Sequence, residues 1–312
     1  VRDVVGVMDH GGFTKYFVIG EGAERFLNNV FCGTAPKENR VKLSYMLTPK
    51  GHIWSEATIA NLGNNRYLLC GPTLAVDRDF DWLMAHCPDD GTVTIQKGFQ
   101  HDAALMVMGP KSRELLAQLT EADLGKISMP WMSVKEMTVA GKDVTAMRVS
   151  YVGELGWELH LASKDLPDLY DALFEKGKSL GITNFGSYAL NVMRIEKGYH
   201  GWGADFGTEY SLYDAKLQPF ANLKKDNFIG KDAVLQHSKT NPVWCFMGFI
   251  IDDADADADT LPSAPIYQNG KSVGYVTSAC TGFRIGKRIA LGYVKTEESD
   301  HSQPFEIEIR GK

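Results

Sequence analysis

Residues 148–161 read RVSYVGELGWELHL, and the way this stretch is built governs how the rest of the chain is understood. It alternates like a β-strand. Yet it carries glycine at 153 and 156, and glycine inside a strand weakens it and often marks a bulge or a close backbone approach. Within it stand an aromatic hydroxyl (Tyr151), two carboxylates (Glu154 and Glu158) and the indole of Trp157. Such a set fits a binding edge for a flat, polar ligand. On an unbroken strand Tyr151 and Glu158 point to opposite faces. A bulge at Gly153 or Gly156 is expected to bring them to one side. The other reading, Glu158 as an exposed rung of a hairpin, stays open at this point.

Working outward, a hairpin turn at Gly141-Lys142 is expected to join Met137–Val139 to Val144–Val149. Downstream, the spacing predicts an amphipathic helix over Leu166–Leu180 closed by Gly181, a residue that tolerates the left-handed cap conformation. A second helix runs to Lys197, and its charged end, Arg194-Ile195-Glu196-Lys197, meets the glycine loop Gly198-Tyr199-His200-Gly201-Trp202-Gly203. Helix end and loop make a second candidate site. Upstream, SYMLTPKGHIWSEATIANL (44–62) reads as two extended runs about the turn Pro49-Lys50-Gly51. That puts Glu56 on a strand, facing either water or a site. Short helices are expected at 20–31 and 77–85. From about 240 onward the pattern is one of short strands, with Asn269-Gly270 a strong hairpin signal.

The 44% apolar and 23% charged shares are those of a globular chain rather than a disordered one. At net charge −6 and with no long basic cluster, nucleic acid is not an expected partner. No apolar run approaches the roughly 20 residues of a membrane-spanning helix, so a soluble protein with no membrane partner is expected. Five widely spaced cysteines suit free thiols in a reducing compartment better than a disulfide framework. The chain opens at Val1 directly into a strand-like segment, and we expect it to be part of something longer.

Motifs exclude several chemistries. There is no HExxH pair or His/Cys cluster of zinc spacing, so no metal site is expected. Asp252, Asp253, Asp255, Asp257 and Asp259 resemble a calcium loop but lack its glycine and its terminal glutamate, and read as a solvated linker. GxSxG, Walker and GxGxxG motifs are all missing. A nicotinamide or flavin would therefore bind elsewhere.

The segments MDHGGFTKYFVIGEGAERFLN (8–28), MLTPKGHIWSEATIA (46–60), RVSYVGELGWELHL (148–161), ALNVMRIEKGYHGWGADFGTE (189–209) and PIYQNGKSVGYVTSACTGFRIGKRIALGYV (265–294) resemble, in this order, the glycine-cleavage T-protein superfamily. The resemblance covers nearly the whole chain. The spellings MRIEKGYHGWGAD and WELH are most similar to the folate-binding half of dimethylglycine and sarcosine dehydrogenases.

That resemblance implies an α+β, three-domain T-protein-like (aminomethyltransferase) folate-binding fold, closed by a C-terminal antiparallel β-barrel or jelly-roll domain. The expected boundaries are a folate-binding region over 1–239, built of subdomains at roughly 1–45 plus 145–239 and at 46–144, followed by the barrel at 240–312. By position, Glu158 matches the glutamate that holds the pterin ring and Tyr151 the tyrosine lining its pocket. Glu56 falls at the second aspartate of a GG-I-x-D-D motif, the carboxylate near the reactive folate nitrogens, and is the expected catalytic residue. Two positions depart from the family. Leu43 stands where T-protein has a tyrosine, with Tyr45 displaced by two, and Leu190 replaces an arginine that meets the folate tail, leaving Arg194. Tyr45, Arg194 and Trp202 complete the expected cofactor-binding set.

The implied function is tetrahydrofolate-binding one-carbon transfer. It would trap the methylene unit of an oxidised N-methyl amine, arriving as a small iminium, as 5,10-methylenetetrahydrofolate. FAD would belong to a separate or missing N-terminal portion, a flavin dehydrogenase. Alternatives are a stand-alone folate-dependent demethylase or aminomethyltransferase, and a non-catalytic subunit resembling the pyruvate dehydrogenase phosphatase regulator. The expected location is cytoplasmic, or the mitochondrial matrix in a eukaryote.

Overall fold

The computed structural model describes residues 1–98, 102–252 and 259–309. The chain divides into two compact units, Val1–Met46 with Ser55–Gly186, and Leu47–Trp54 with Ser187–Lys312.

The first unit holds two sheets. One is ordered β11 (Thr183–Asn184), β1 (Gly6–Asp9), β7 (Ala103–Met108), β10 (Gly156–Leu161), β9 (Lys142–Arg148), β8 (Ser133–Val139). Its register sets Met8, Met106, Glu158, Met147 and Val134 side by side across the strands. Neighbouring positions on each strand point the other way. Val7, Val107, Trp157 and Leu159 thus form a core with helices α3 (Ser112–Leu116) and α4 (Leu166–Gly177), which contribute Leu115, Leu116, Leu169 and Leu173.

The other sheet is ordered β3 (Val41–Leu47), β4 (Ile53–Asn61), β5 (Arg66–Gly71), β2 (Thr14–Ile19), β6 (Thr94–Lys97). Lys15 and Thr58 both pair with Cys70, so the three share a face. Glu56, two residues before Thr58, belongs to that face as well. Cys70 packs in one cluster with Met147, Val134 and Val149. The Glu56 face of one sheet is therefore turned toward the Glu158 face of the other. On the far face, Tyr16 stacks on Phe80 of α2 (Val76–Ala85) at 5.9 Å, and the Ser55 hydroxyl donates to Asp79 at 2.5 Å. Helix α1 (Ala23–Val30) buries Phe26, Leu27 and Val30, the face its spacing predicts.

The 148–161 stretch is not one strand. Only Gly156–Leu161 is extended in the sheet, and residues 149–155 form a loop in which Gly153 takes φ +73°. No bulge is needed to reorient Tyr151, because it precedes the strand. Gly156 has a steric cause: a Cβ there would meet Met108 Sδ and lie 2.9 Å from the Val107 carbonyl oxygen. Arg2 ties the loop down, donating to the Val152 carbonyl at 2.5 Å and to Glu154 at 2.9 Å. The upstream hairpin turns at Ala140-Gly141, one residue earlier than expected. Both residues have positive φ, as a two-residue primed turn requires. Helix α4 ends in a 3-10 turn, and Gly181 takes the left-handed cap at φ +76°.

The second unit contains α5 (Ser187–Glu196), α6 (Lys231–His237) and an antiparallel sheet. Its strands run in the order β12 (Trp244–Ile251), β15 (Lys287–Lys295), β14 (Lys271–Gly282), β13 (Pro265–Gln268), β16 (Glu306–Ile307). Asn269-Gly270 turns β13 into β14 with both φ values positive. A register shift between Val276 and Ser278 breaks the β14–β15 ladder. Of the acidic run, Asp252 pairs with Lys287 and Asp259 accepts from Thr281; Asp253, Asp255 and Asp257 lie outside the described residues. Among the described residues, no helix is long and apolar enough to cross a membrane.

Candidate functional site

Glu56 enters from β4, whose alternation buries Ser55 and Ala57 on one face and leaves Glu56 half-buried on the other. Among the described residues its carboxyl has no hydrogen-bond or ion-pair partner. Desolvation raises its pKa from 4.5 to about 7. A carboxyl poised there can take or give a proton at neutral pH. Tyr45, on β3, is 1% exposed. Burial, and then the neighbouring Glu56, Cys32 and Tyr151, keep its phenol protonated far into the alkaline range. Tyr45 was expected among the ligand contacts. It stands beside Glu56 and Tyr151, and Tyr151 is half-buried.

Glu158 is 8% exposed and is not a hairpin rung facing water. Its Oε1 lies 3.7 Å from His10 Nε2 and its Oε2 lies 3.4 Å from His160 Nε2. Burial by itself would raise the Glu158 pKa; His10, His160 and Lys15 outweigh it and hold the carboxyl below its ordinary value. Burial also lowers His10 to about 4, against the opposing pull of Glu158. At neutral pH the carboxylate thus meets an uncharged His10 ring, with the Lys15 ammonium supplying positive charge. The His10–His160–Lys15 surround was not anticipated. Its one sequence signal was the i, i+2 spacing of Glu158 and His160 in WELH, which places both on one strand face.

Arg194 and Trp202 lie in the other unit. Arg194, expected to meet folate, is 2% exposed and its guanidinium is already committed. It donates to Asn191 Oδ1 at 2.9 Å, the Tyr199 carbonyl at 3.0 Å and Ser278 Oγ at 2.7 Å, and it also donates to Asp205. In this unit Arg194 clamps the glycine loop through the Tyr199 carbonyl and Asp205. Asp205 completes the clamp, accepting from the Gly201 N–H at 2.8 Å and from Thr277 and Ser278 at 2.6 Å each. Adjacent strand residues reach one carboxylate because Thr277 is itself the extra residue at the β14 irregularity. Trp202 is half-buried and packs edge-on against Phe206 at 5.5 Å. Among the described residues, no group of three or more His, Cys, Asp or Glu side chains is placed to hold a metal ion.

Comparison with known proteins gives this geometry a family. Residues 1–225 match the family model described as the GCVT N-terminal domain, and residues 245–312 match the glycine cleavage T-protein C-terminal barrel domain. The human mitochondrial dimethylglycine dehydrogenase is 34% identical over the whole chain, which spans 36% of that relative's length. An aminomethyltransferase of Chloroherpeton thalassium is 28% identical, again over the whole chain and over 85% of the relative. The crystal structure of the glycine cleavage system aminomethyltransferase T from Bartonella henselae superposes with a TM-score of 0.88 at 23% identity, covering all of this chain and 84% of that one, and so shares the fold. Matched along most of its length by both parts of one architecture, the chain belongs to the glycine cleavage T-protein family.

Proposed function

We propose that this chain binds tetrahydrofolate and performs one-carbon transfer, taking the methylene unit of an oxidised N-methyl amine of the dimethylglycine or sarcosine type into 5,10-methylenetetrahydrofolate. One observation carries the reading. Facing sheets of a single unit present a partnerless carboxyl titrating at about 7, Glu56, and a second carboxylate held ionised, Glu158.

The residues suit a reduced pterin. Its ring edge offers N–H and amino donors, which an ionised carboxylate accepts in a fixed, charge-assisted geometry; Glu158 has that character. Tyr151 gives an aromatic wall beside Tyr45 and Glu56. Tetrahydrofolate supplies two amine nitrogens, N5 and N10, between which a CH2 group is bonded. With an iminium donor, CH2=N⁺, the carbon leaves its amine nitrogen for the two folate nitrogens, the demethylated amine departs with one of the two folate N–H protons, and the other proton is released. Glu56 takes that proton, and its pKa near 7 lets it pass the proton to solvent afterwards. Arg194 has no part in holding the folate tail in this reading, its donors being spent on Asn191, the Tyr199 carbonyl, Asp205 and Ser278.

Oxidation of an N-methyl amine to an iminium needs a hydride acceptor. We assign that step to a flavin-dependent dehydrogenase portion or partner, in line with the identity to a dimethylglycine dehydrogenase of which this chain spans about a third.

The test is Glu56→Gln. Folate-coupled product formation is expected to fall by about 100-fold or more while tetrahydrofolate still binds. Unchanged product formation with folate bound would remove Glu56 from the chemistry. Failure of the wild-type chain to bind tetrahydrofolate would favour a regulatory role instead.

A further inference from the structure

The proton transfer assigned to Glu56 leaves a second buried group of ionisable side chains unexplained. Glu158 and His160 share a face of β10, His10 follows β1, and Lys15 stands on β2 across from Cys70 on β5. All five are less than 10% exposed. Apolar residues of similar volume would commonly hold such a position as well or better. Nδ1 of His10 and both ring nitrogens of His160 are moreover buried with no hydrogen-bond partner among the described residues. A folded core gains nothing from leaving such atoms unsatisfied, and each one calls for an explanation.

The surroundings are arranged about the carboxylate. One imidazole faces each Glu158 oxygen. The Phe13 ring covers His10 at 4.0 Å. From β2, Lys15 Nζ reaches the carbonyl oxygens of Gly11, Phe13 and Asp102 at 3.2, 3.4 and 3.5 Å, which ties it to the turn that carries His10. The other titratable groups acting on the cluster are Asp9 at the end of β1, Asp102 ahead of β7, and the Cys70 thiol. Burial pushes Cys70 up to about 12, so it carries no charge here.

We propose that His10 and His160 are positioning residues for Glu158: two imidazoles, one facing each oxygen, that keep the carboxylate aimed so that a pterin edge meets a fixed acceptor. Its functional part rests on the reading of Glu158 as the folate-binding carboxylate; the effect on Glu158 itself does not. The rings act through the carboxylate and not on the ligand.

The experiment compares His160→Leu with His160→Gln, which keeps a side-chain N–H, in the full chain. Carbon-13 NMR of labelled glutamate follows the Glu158 titration without ligand, and calorimetry measures tetrahydrofolate binding at pH 5 and 7.5. His160→Leu is expected to raise the Glu158 midpoint by about one pH unit, a tenfold change in its ionisation equilibrium. It should also weaken folate binding several-fold more at pH 5 than at pH 7.5. His160→Gln should restore both. A folded His160→Leu chain with an unmoved Glu158 midpoint would overturn the proposal, as would a His160→Gln chain as impaired as His160→Leu. If His160→Leu does not fold, the same comparison at His10 decides. If the wild-type chain binds no tetrahydrofolate, the folate reading fails, and the NMR midpoints still judge the positioning role.

Discussion

Asp205 in one unit and Glu56 in the other are both carboxylates drawn away from water, and the protein treats them in opposite ways. Asp205 is fully enclosed and receives donors from Arg194, the Gly201 backbone, Thr277 and Ser278. Glu56 receives none among the described residues, and its pKa climbs to about 7 in consequence. A satisfied buried charge fixes a loop, whereas an unsatisfied one keeps a reactive proton site at some expense of stability. Glu158 lies between these extremes, with an imidazole nitrogen 3.7 Å from one oxygen and another 3.4 Å from the other.

The sharpest way to break this contrast is to remove one partner of the satisfied pair. Arg194→Met leaves Asp205 uncompensated and is expected to cost about 3–5 kcal/mol in the unit that contains it, measured by urea unfolding. A loss below about 1 kcal/mol would mean the network is not structural.

A pH series probes the buried surround of Glu158. The His10 pKa is 6.5 when unfolded and about 4 when folded. Above pH 6.5 neither state binds the proton; as pH falls from 6.5 toward 4 the unfolded chain binds it first, so stability drains away across that window. The full loss is on the order of 3 kcal/mol, and His10→Gln should flatten the profile there. Glu158, with a lowered pKa, adds a loss in the same acid direction.

Glu56 behaves with the opposite sign. Its raised pKa favours the folded state when the carboxyl is protonated, and this contribution is lost as pH rises from 4.5 through about 7. Glu56→Gln should thus leave the fold as stable at pH 8 or raise its stability by about 1–2 kcal/mol, read from a denaturant midpoint. In the wild type, turnover should rise with pH to a plateau through an apparent pKa of about 7. A flat profile across that range would separate Glu56 from the rate.

Much of this was legible beforehand, because local chemistry left clear marks. Asn269-Gly270 turns the hairpin its dipeptide dictates, Gly181 caps its helix, and the α1 and α4 faces follow their apolar spacing. The family's motifs brought Glu56, Tyr151 and Glu158 forward together. What stayed hidden was tertiary. Alternation cannot reveal that residues 149–155 leave the sheet, since Gly153 takes a turn conformation that an alternating pattern conceals. Nor does any local signal tell that Arg194 is consumed by Asp205, or that His10, just after β1, and His160 of β10 both face Glu158. Those meetings are made by strand order, with β7 lying between the two.

The measurement closest to the central claim is calorimetric titration of tetrahydrofolate into the wild-type chain and into Glu158→Gln at pH 7.5. Saturable binding to one site is predicted, weakened about 10- to 100-fold by the substitution, the loss of a hydrogen bond to a charged group. No binding heat from the wild type, or equal affinity in the two chains, would contradict the account.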